Sequence, residues 1–543
     1  MKKHKFILLS LLLLNLFLLN AKEYKADILV YGNSSAAVTA AVQSAKMGKK
    51  VLFVSSDNCI GGLTASGLGA TDINKYQAIG GMSREFYRRI YKHYSDPSAW
   101  FCQDRDEYFA SIIKRVFTGR NEKAKMQWVF EPHIAQKVFG EMLTEAGVEI
   151  VFSKLKEKKG VTLKKGKIER ITLLDGNTCI ADVFIDASYE GDLMAQAGVS
   201  YFVGREANTQ YGETMNGIRP GKNVKKSKAK IDPYIEKGNP KSGLLPFVEK
   251  QLPGKEGEGD KRIQAYCFRF TLTNNADNKM PIEKPRDYNP LWFEFMARLI
   301  EANPTWTLKH ILTITPMPNM KTDINHADFI GANYEWPEAS YKRRDELKAM
   351  HRSYTLGLIW FLANDPRVPQ KIKDEMNKWG LPKDEFKDNG NFPYQVYVRE
   401  ARRMVSDYVM TEHEVTGMKT VPNSVGLGTY WFDSHIVSRY VDQIGGLRDE
   451  GGFWGKQAIY PISYQSIVPK EKECTNLIVP VCLSATHAAY GSIRMEPVYM
   501  VLGQSAAIAA SLSIDNRNAV QYLDYEQLKA KLLKYNQIIE WNK

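Results

Sequence analysis

The sequence predicts an α/β protein built on a doubly wound sheet, with an inserted β-meander and a mixed α/β cap. The first observation is a strand, a glycine turn, an alanine-rich helix and a second strand, which follow one another between Ala26 and Val54. That order is typical of a βαβ unit. The second observation is that a similar stretch of small and apolar residues occurs again from about Leu477 to Ser511. The sheet domain is therefore predicted to contain residues from both ends of the chain.

The chain begins with a segment typical of a secretory signal peptide. Three lysines precede an apolar run that extends from Phe6 to Leu19, and the small residue Ala21 follows. A transmembrane anchor is the alternative, but the run is shorter than the roughly 20 residues that a span needs. Cleavage near Ala21 predicts a periplasmic or secreted protein with no membrane span after cleavage.

Composition narrows the class of protein further. A length of 543 residues exceeds one ordinary hydrophobic core, so two or three domains are expected. The net charge of +13 is spread along the chain and matches no nucleic-acid-binding motif, so no nucleic-acid partner is predicted. The six cysteines are too sparse for a disulfide scaffold and contain no CxxC pair. No iron–sulfur cluster and no structural metal site are therefore predicted.

The βαβ unit starts with Asp27–Tyr31, a continuous apolar run of the kind that forms buried parallel strands. Gly32 makes the turn, and a helix of small residues is predicted over residues 34–47. Residues 51–54 are predicted to form the second strand. Alanines on the helix would let it lie close against the sheet.

The turn of this unit matches a dinucleotide-binding fingerprint imperfectly. The fingerprint places glycines at positions 32, 34 and 37, whereas this chain has Gly32, Ser34 and Ala37. Alanine is tolerated at the third position, and Ser34 can donate its hydroxyl to a pyrophosphate. The acidic ribose partner expected after the second strand is replaced by Ser55 or Asp57. Taken alone, the pattern fits an ordinary α/β turn equally well.

A glycine-rich stretch from Ile60 to Gly69 follows directly. Glycines let main-chain N–H groups converge on an anion, and the hydroxyls of Thr64 and Ser66 add donors without bulk. A flexible surface loop is the alternative. The position of the stretch behind a βα unit favours FAD over a nicotinamide cofactor.

The middle of the first half predicts a helix over residues 132–146 and three β segments, at 148–152, at 161–163 together with 168–174, and at 179–185. Lys165-Gly166 and Asp175-Gly176 supply the turns between them. A β-meander inserted into a doubly wound sheet is typical of FAD domains of the glutathione-reductase type. The last segment ends at Asp186, on the carboxyl edge where open α/β sheets bind ligands.

Residues 204–430 differ in composition and are predicted to form a substrate or cap region, with helices near 341–362 and 397–410. Arg399 and Arg403 would lie on one face of the second helix. They could line an anionic pocket, although a salt-bridged surface or domain contact is the more usual role of such a pattern. Some cap tryptophans could stack on sugar rings, although most are expected in the core; the candidates are Trp292, Trp336, Trp360 and Trp431.

Five segments are predicted in chain order. They are a signal peptide (1–21), the first part of the FAD-binding domain (22–203), the substrate or cap region (204–430), the returning part of the FAD-binding domain (431–515) and a C-terminal helical tail (516–543).

Three motifs carry a family resemblance: Ile60-Gly-Gly-Leu-Thr-Ala-Ser-Gly-Leu-Gly-Ala-Thr-Asp72, Ile185-Asp-Ala-Ser-Tyr-Glu-Gly-Asp-Leu-Met-Ala195 and Ser484-Ala-Thr-His-Ala-Ala-Tyr-Gly-Ser-Ile-Arg494. Through them the chain resembles the FAD-dependent oxidoreductases related to the flavoprotein subunit of heterodisulfide reductase. It looks most similar to an exported bacterial branch found among polysaccharide-degrading proteins and sometimes labelled xanthan lyase. The iron–sulfur chemistry of the heterodisulfide reductases does not carry over, because their cysteine-rich segments are missing here.

The resemblance implies that the glycine loop surrounds the flavin and pyrophosphate, and that the segment after Asp186 passes the adenosine half. Combined with the βαβ pattern and the C-terminal helix, it predicts a set of FAD-binding residues. They are Gly32, Ser34, Ser35, Ala37, Ser55, Asp57, Gly61, Gly62, Leu63, Thr64, Ser66, Gly67, Asp186 and Gly503.

Hydride transfer to a flavin requires a base near the substrate hydroxyl or amine. His487 is the first candidate, because it follows a buried strand and precedes the C-terminal cofactor helix. His435 and His351 are second candidates from the cap, and a purely structural histidine is the alternative for each. Arg494 could hold the pyrimidine oxygens of the flavin or a substrate carboxylate, because its fork suits planar anions.

The sequence thus predicts an exported FAD-dependent oxidoreductase that transfers hydride from a small organic substrate to the flavin. Sugars and sugar acids are candidate substrates, and the electron acceptor is unidentified. The alternative is a polysaccharide lyase or carbohydrate-binding protein that keeps a flavoprotein fold without redox use. A lyase would need a base and groups that neutralise a carboxylate, but no change in flavin oxidation state.

Overall fold

A computed structural model describes residues 21–113, 119–221, 227, 229–455 and 458–541. The predicted signal peptide, except Ala21, lies outside these residues. The helices in chain order are α1 (Ser35–Lys46), α2 (Gly81–His93), α3 (Arg105–Ile113), α4 (Pro132–Glu145), α5 (Asp192–Gln196), α6 (Asn208–Tyr211), α7 (Leu291–Glu301), α8 (Leu308–Ile311), α9 (Tyr341–Asn364), α10 (Gln370–Met376), α11 (Glu412–Val415), α12 (His487–Ile493), α13 (Glu496–Asn516) and α14 (Tyr525–Lys534).

The strands are mostly short outside the first third of the chain. They are β1 (Glu23–Tyr31), β2 (Val51–Ser55), β3 (Arg120–Asn121), β4 (Met126–Gln127), β5 (Glu149–Phe152), β6 (Val161–Lys164), β7 (Lys167–Thr172), β8 (Thr178–Asp186), β9 (Tyr201–Phe202), β10 (Val248–Glu249), β11 (Phe270–Thr273), β12 (Lys279–Met280), β13 (Thr313–Met317), β14 (Lys321–Asn325), β15 (Leu381–Pro382), β16 (Arg403–Met404), β17 (Ser424–Gly428), β18 (Phe432–Ser434), β19 (Ser438–Val441), β20 (Leu447–Glu450), β21 (Phe453–Gly455), β22 (Tyr460–Ser463) and β23 (Leu477–Ile478).

The largest sheet has the strand order β5-β2-β1-β8-β7-β6, and β23 pairs with the carboxyl-terminal half of β8. Strands β5, β2, β1, β8 and β23 are parallel to their neighbours in this group. Strands β6, β7 and β8 form an antiparallel meander. Strand β8 therefore belongs to both parts, which makes the meander continuous with the sheet. The predicted mixed α/β class is confirmed, and the closer assignment to the glutathione-reductase type stays a prediction.

Side chains of β1 alternate between two cores, as the period of a strand requires. Ile28 and Val30 pack in the core that contains α1, α4 and α13. Leu29 and Tyr31 pack in a second core with the meander and α5. Both faces of β1 are therefore buried, which explains its continuous apolar sequence.

Helices α1 and α13 come from opposite ends of the chain and pack closely. A Cβ atom at Gly503 would lie 2.2 Å from the carbonyl oxygen of Ala36, so only glycine permits this approach. Gly503 thus contributes to packing between the helices. Helix α13 is long and apolar enough to cross a membrane, but 94% of its most apolar window is buried inside the protein.

The cap confirms one predicted helix and corrects another. Helix α9 covers the residues predicted near 341–362. The helix predicted over 397–410 is wrong, because this segment is extended and its strand β16 pairs with β9. Two adjacent charged side chains of this segment bind different partners: Arg399 binds Asp328, whereas Glu400 binds His487. Extended backbone sends successive side chains in opposite directions, which a helix cannot do.

Candidate functional site

The amino terminus of α1 lies at the carboxyl edge of the parallel strands, directly after β1. Ser34 caps the helix, because its Oγ accepts from the N–H of Ala37 at 3.3 Å and donates to the carbonyl of Ala187 at 2.6 Å. Gly32 has a φ of 122°, and a Cβ there would lie 2.6 Å from the backbone of Ala187. Other N–H groups of the first turn have no intrahelical acceptor, as at every helix start. Such an amino terminus suits a pyrophosphate.

The glycine-rich loop packs directly on this helix start. The N–H of Gly61 donates to the carbonyl of Asn33 at 2.9 Å. Gly61, Gly62 and Gly67 have φ values of 94°, 53° and 111°, which favour glycine. A Cβ at Gly62 would lie 2.3 Å from the hydroxyl of Tyr189, and one at Gly67 would overlap the backbone of the cap. These glycines are therefore needed for the loop to fit between α1 and the rest of the chain.

One buried carboxylate is hydrogen-bonded to the glycine-rich loop, to α1 and to the segment after β8. Glu496, the first residue of α13, accepts hydrogen bonds from the hydroxyls of Ser35 at 2.5 Å, Thr64 at 2.7 Å and Tyr189 at 2.8 Å. Tyr189 also accepts from the N–H of Leu63 at 3.0 Å. Burial raises the pKa of Glu496, and the three hydroxyls oppose that rise only partly. Sequence reasoning missed this residue, although it stands two positions after the third motif.

Two cap residues, Tyr394 and Gln395, hydrogen-bond to the glycine-rich loop. The Oγ of Ser66 accepts from the N–H groups of Tyr394 and Gln395, at 2.8 Å and 2.9 Å. The side chain of Asn33 donates to Gln395 at 3.2 Å. The cap is therefore bonded to the predicted cofactor loop and to the turn before α1.

The end of β2 distinguishes the two candidate ribose partners. Ser55 is fully buried, and its hydroxyl donates to the carbonyl of Asp57 at 2.6 Å. Asp57 lines a cavity at the sheet edge, and its carboxylate lies 3.9 Å from the ammonium of Lys348. Glu190 lines the same cavity. Asp57 is thus better placed than Ser55 to meet a ribose, and Lys348 is a cap residue that sequence reasoning missed.

Asp186 is buried and holds the turn that follows β8. Its carboxylate accepts from the N–H and hydroxyl of Ser188, at 3.1 Å and 2.6 Å, and from the N–H of Met194 at 2.8 Å. Burial raises the pKa of Asp186 to about 6, against the effect of these bonds. Asp186 therefore shapes the edge of the cavity rather than facing it.

Arg494 is fully buried at the end of α12, just before α13. Its Nη1 donates to the hydroxyl of Tyr397 at 2.7 Å, and its Nη2 lies 3.2 Å from the carboxylate of Asp433. Among the described residues, its Nε has no hydrogen-bond partner. A buried donor without an acceptor is costly. The position therefore fits an acceptor such as a pyrimidine oxygen of a flavin or a substrate carboxylate.

His487 is fully buried at the start of α12. Its Nδ1 lies 2.8 Å from the carboxylate of Glu400, and its Nε2 lies 3.1 Å from the hydroxyl of Ser434. Its backbone N–H donates to Glu206 at 3.0 Å. Both ring nitrogens therefore bind protein groups, and neither faces open space.

His435 has a different environment at the end of β18. Its Nδ1 lies 2.7 Å from the carboxylate of Asp328, which also binds Arg399 at 2.9 Å. Its Nε2 is 3.8 Å from Asp433, beyond hydrogen-bond distance. Burial pushes the pKa of Asp328 upwards, but His435 and Arg399 hold it well below its usual range. When the imidazole of His435 is neutral, its hydrogen bond to an ionised Asp328 places the proton on Nδ1 and the lone pair on Nε2.

His351 lies inside α9, away from these charges. Its Nδ1 donates to the carbonyl of Leu347 at 2.9 Å, and its Nε2 has no partner among the described residues. Burial lowers the pKa of His351 to about 4, so the ring is neutral at physiological pH.

One group of side chains resembles a metal site but already contains a cation. Oxygen or nitrogen atoms of Glu131, His133 and Glu385 converge within 4.8 Å. The ammonium of Lys321 lies 2.8 Å from each of the two glutamates and 2.7 Å from Asp384. The lysine therefore occupies the position of a cation in this cluster and offsets part of its negative charge.

The donors at the sheet edge fit FAD. The α1 amino terminus and the hydroxyls around it suit a pyrophosphate, Asp57 suits a ribose, and the unpaired Nε of Arg494 suits the flavin end. These groups come from both ends of the chain, and the glycine loop and Glu496 lie between them.

Comparison with known proteins gives the family of the chain. A family model described as FAD dependent oxidoreductase matches residues 27–532. No curated protein matches the chain. Among solved structures, L-proline dehydrogenase from P. horikoshii is 11% identical, with 94% of this chain and 99% of that chain covered and a TM-score of 0.32.

Two further solved structures are similarly distant. A geranylgeranyl bacteriochlorophyll reductase-like protein from Thermoplasma acidophilum is 12% identical, with 94% of this chain and 83% of that chain covered and a TM-score of 0.32. L-amino acid deaminase from Proteus vulgaris is 12% identical, with 38% of this chain covered and a TM-score of 0.22. This chain spans 55% of that deaminase. TM-scores of this size indicate only weak structural similarity. The protein is therefore assigned to its family by the family model alone.

Proposed function

This chain belongs to the FAD dependent oxidoreductase family, and we propose that, after export, it oxidises a CH–OH group of a small organic molecule. FAD is its cofactor, and when bound it would supply the acceptor for a hydride, which carries two electrons. Export is proposed because the chain begins with lysines followed by a short apolar run, as secretory signal peptides do.

The pairing of His435 with Asp328 is the observation that carries the proposal. The substrate hydroxyl loses its proton to Nε2 of His435, while the C–H bond breaks and its hydride leaves towards the flavin. A carbonyl product forms, and an external acceptor would be needed to take up the two electrons of the hydride. Asp328 orients the imidazole and stabilises its protonated form. Arg494 also contacts Asp433, and its unpaired Nε is available to hold an anionic oxygen.

His487 has a positioning role in this proposal. It binds the hydroxyl of Ser434, which directly precedes His435, and it is itself held by Glu400. The alternative is that His487 is the base, as the sequence predicts. That alternative requires the bond to Ser434 to open when substrate binds.

The experiment that tests the proposal is anaerobic reduction of the flavin-replete protein. Simple alcohols, sugars and sugar acids are added in turn, and loss of the yellow absorbance of oxidised flavin is recorded. We expect at least one CH–OH compound to reduce the flavin and to yield the matching carbonyl compound. If uronic-acid polymers instead give unsaturated products while the flavin stays oxidised, the protein is a lyase and the proposal is wrong.

A further inference from the structure

The cap contains a cavity of about 310 Å³ between α7, α9 and the segment that follows β18. Its volume falls within the range of small-molecule sites, which begins at roughly 300 Å³. None of the predicted FAD-binding residues lines it. Its lining residues are therefore additional to the predicted FAD-binding set and do not overlap with it.

Most of the cavity wall is aromatic or aliphatic. Trp292, Phe295, Phe329, Tyr354 and Leu358 lie on it. Phe329 stacks on Tyr354 with ring centroids 3.9 Å apart, and Trp292 meets Phe329 edge-on at 5.1 Å. Such a wall stabilises an apolar ring or chain by removing it from water, and it offers few partners to a molecule with many hydroxyls.

The opposite part of the wall is polar, but its charges are already paired. Asp328 binds Arg399 at 2.9 Å, and Arg439 binds Asp449 at 2.8 Å. The guanidinium of Arg439 also lies over the ring of Phe295, 3.5 Å from its centroid. Paired charges suit a neutral group that donates and accepts hydrogen bonds, such as a hydroxyl, better than an additional ion.

The mouth of the cavity has an unusual residue. Phe247 lines the cavity, is 40% exposed and has a φ of 61°. A bulky side chain in the left-handed region carries a conformational cost, and such costs concentrate at ligand sites. Gly331 lies beside it, where a Cβ would be 3.1 Å from the Cβ of Phe247. The backbone therefore holds an apolar side chain where the cavity meets solvent.

We infer that this cavity binds the apolar body of the substrate, and that the substrate is a neutral alcohol carrying an aromatic or aliphatic ring. The inference rests on the proposed function and narrows its substrate class from sugars to amphipathic alcohols. Because Asp328 lines the cavity and also binds Nδ1 of His435, a hydroxyl at the polar end would lie beside the carboxylate that orients the candidate base.

Calorimetric titration of the flavin-replete protein tests this inference, with cinnamyl alcohol as the probe and methyl glucoside as the polar comparison. We expect the alcohol to bind and the glucoside not to bind. Trp292→Ala should weaken alcohol binding by about tenfold or more, because one aromatic wall is lost. Trp360→Ala is the matched control on α9, since Trp360 does not line the cavity, and its effect should stay within about twofold.

A second variant, Trp292→Phe, keeps an aromatic wall if the alanine variant fails to fold, and it should bind with intermediate affinity. Equal affinity in wild type and both Trp292 variants, equal binding of methyl glucoside, or no binding of cinnamyl alcohol to wild type would overturn the inference. If the alcohol binds in the cavity but no CH–OH compound reduces the flavin, the proposed function is wrong, whereas the cavity is still a binding site for an apolar alcohol. If flavin reduction is identical in wild type and Trp292→Ala, the pocket assignment fails while the proposed function stands.

Discussion

His435 and His487 show how the partners of a side chain separate two residues that sequence position alone ranks in the opposite order. His487 stands beside the cofactor helix in the sequence, yet both of its ring nitrogens bind protein groups. His435 has one nitrogen on Asp328, and its other nitrogen lies beyond hydrogen-bond distance of Asp433. The partner Asp328 is more than a hundred positions away, and no local pattern indicates it.

Replacing the candidate base tests its role. In His435→Ala, we expect FAD to remain bound and flavin reduction to slow by roughly 10²–10⁴, the usual worth of a positioned base. His487→Ala is the comparison and should mainly lower thermal stability, because the buried Glu400 loses its hydrogen bond to the imidazole. Stopped-flow reduction of flavin-replete variants measures both. The reverse result, with His487→Ala slow and His435→Ala at the wild-type rate, would return the base to His487.

Glu496 carries a residue-scale prediction about pH. Its partners are three hydroxyls, which can accept as well as donate, so Glu496→Gln should fold and bind FAD like wild type. Glu496→Ala should weaken FAD binding, because Ser35, Thr64 and Tyr189 lose their common partner.

The pKa of Glu496 is raised above its ordinary value of 4.5. Its contribution to stability is therefore complete below that pH and is lost as pH rises through the raised value. The glutamine variant stays neutral, so its melting temperature relative to wild type should rise with pH above about 4.5. A difference in melting temperature that is constant with pH would contradict this account of Glu496.

At the scale of elements, the βαβ unit was predictable because its signals are local. Apolar runs, a glycine turn and small helix residues occur within about thirty positions of one another, as in βαβ units generally. The glycine loop was predictable for the same reason. The extended segment around Arg399 and Arg403 was not, because its conformation depends on buried carboxylates elsewhere in the chain, Asp328 and Glu206.

The glycine loop supplies the element-scale prediction. Gly62→Val should abolish FAD binding, because the new side chain would meet the hydroxyl of Tyr189 at 2.3 Å and displace the loop from α1. Gly48→Val is the matched control, since Gly48 has a φ of 77° but a Cβ added there would meet no atom within 4 Å. Valine there also adopts a left-handed backbone conformation but meets no clash. Fluorescence titration of apoprotein with FAD compares the two, and equal affinities would show that the loop does not shape the cofactor site.

At the scale of the whole molecule, hydrogen bonds join the predicted cofactor edge to the cap. The cap binds the loop through Ser66 and the turn through Asn33. A chain of contacts then leads from Arg494 through Asp433 and His435 to Asp328 at the cavity wall. Composition indicated a separate cap region, but no sequence signal indicated its cavity, because the walls come from segments far apart in the chain.

An anaerobic single turnover tests the central claim, FAD-dependent oxidation of a CH–OH group, most directly. Purified mature protein is mixed with a limiting alcohol, and bound FAD, reduced flavin and carbonyl product are measured in the same sample. We expect one FAD per chain and equal amounts of reduced flavin and carbonyl product, because each hydride transfer consumes one alcohol. Protein that binds no FAD, or that forms product while its flavin stays oxidised, would contradict the account.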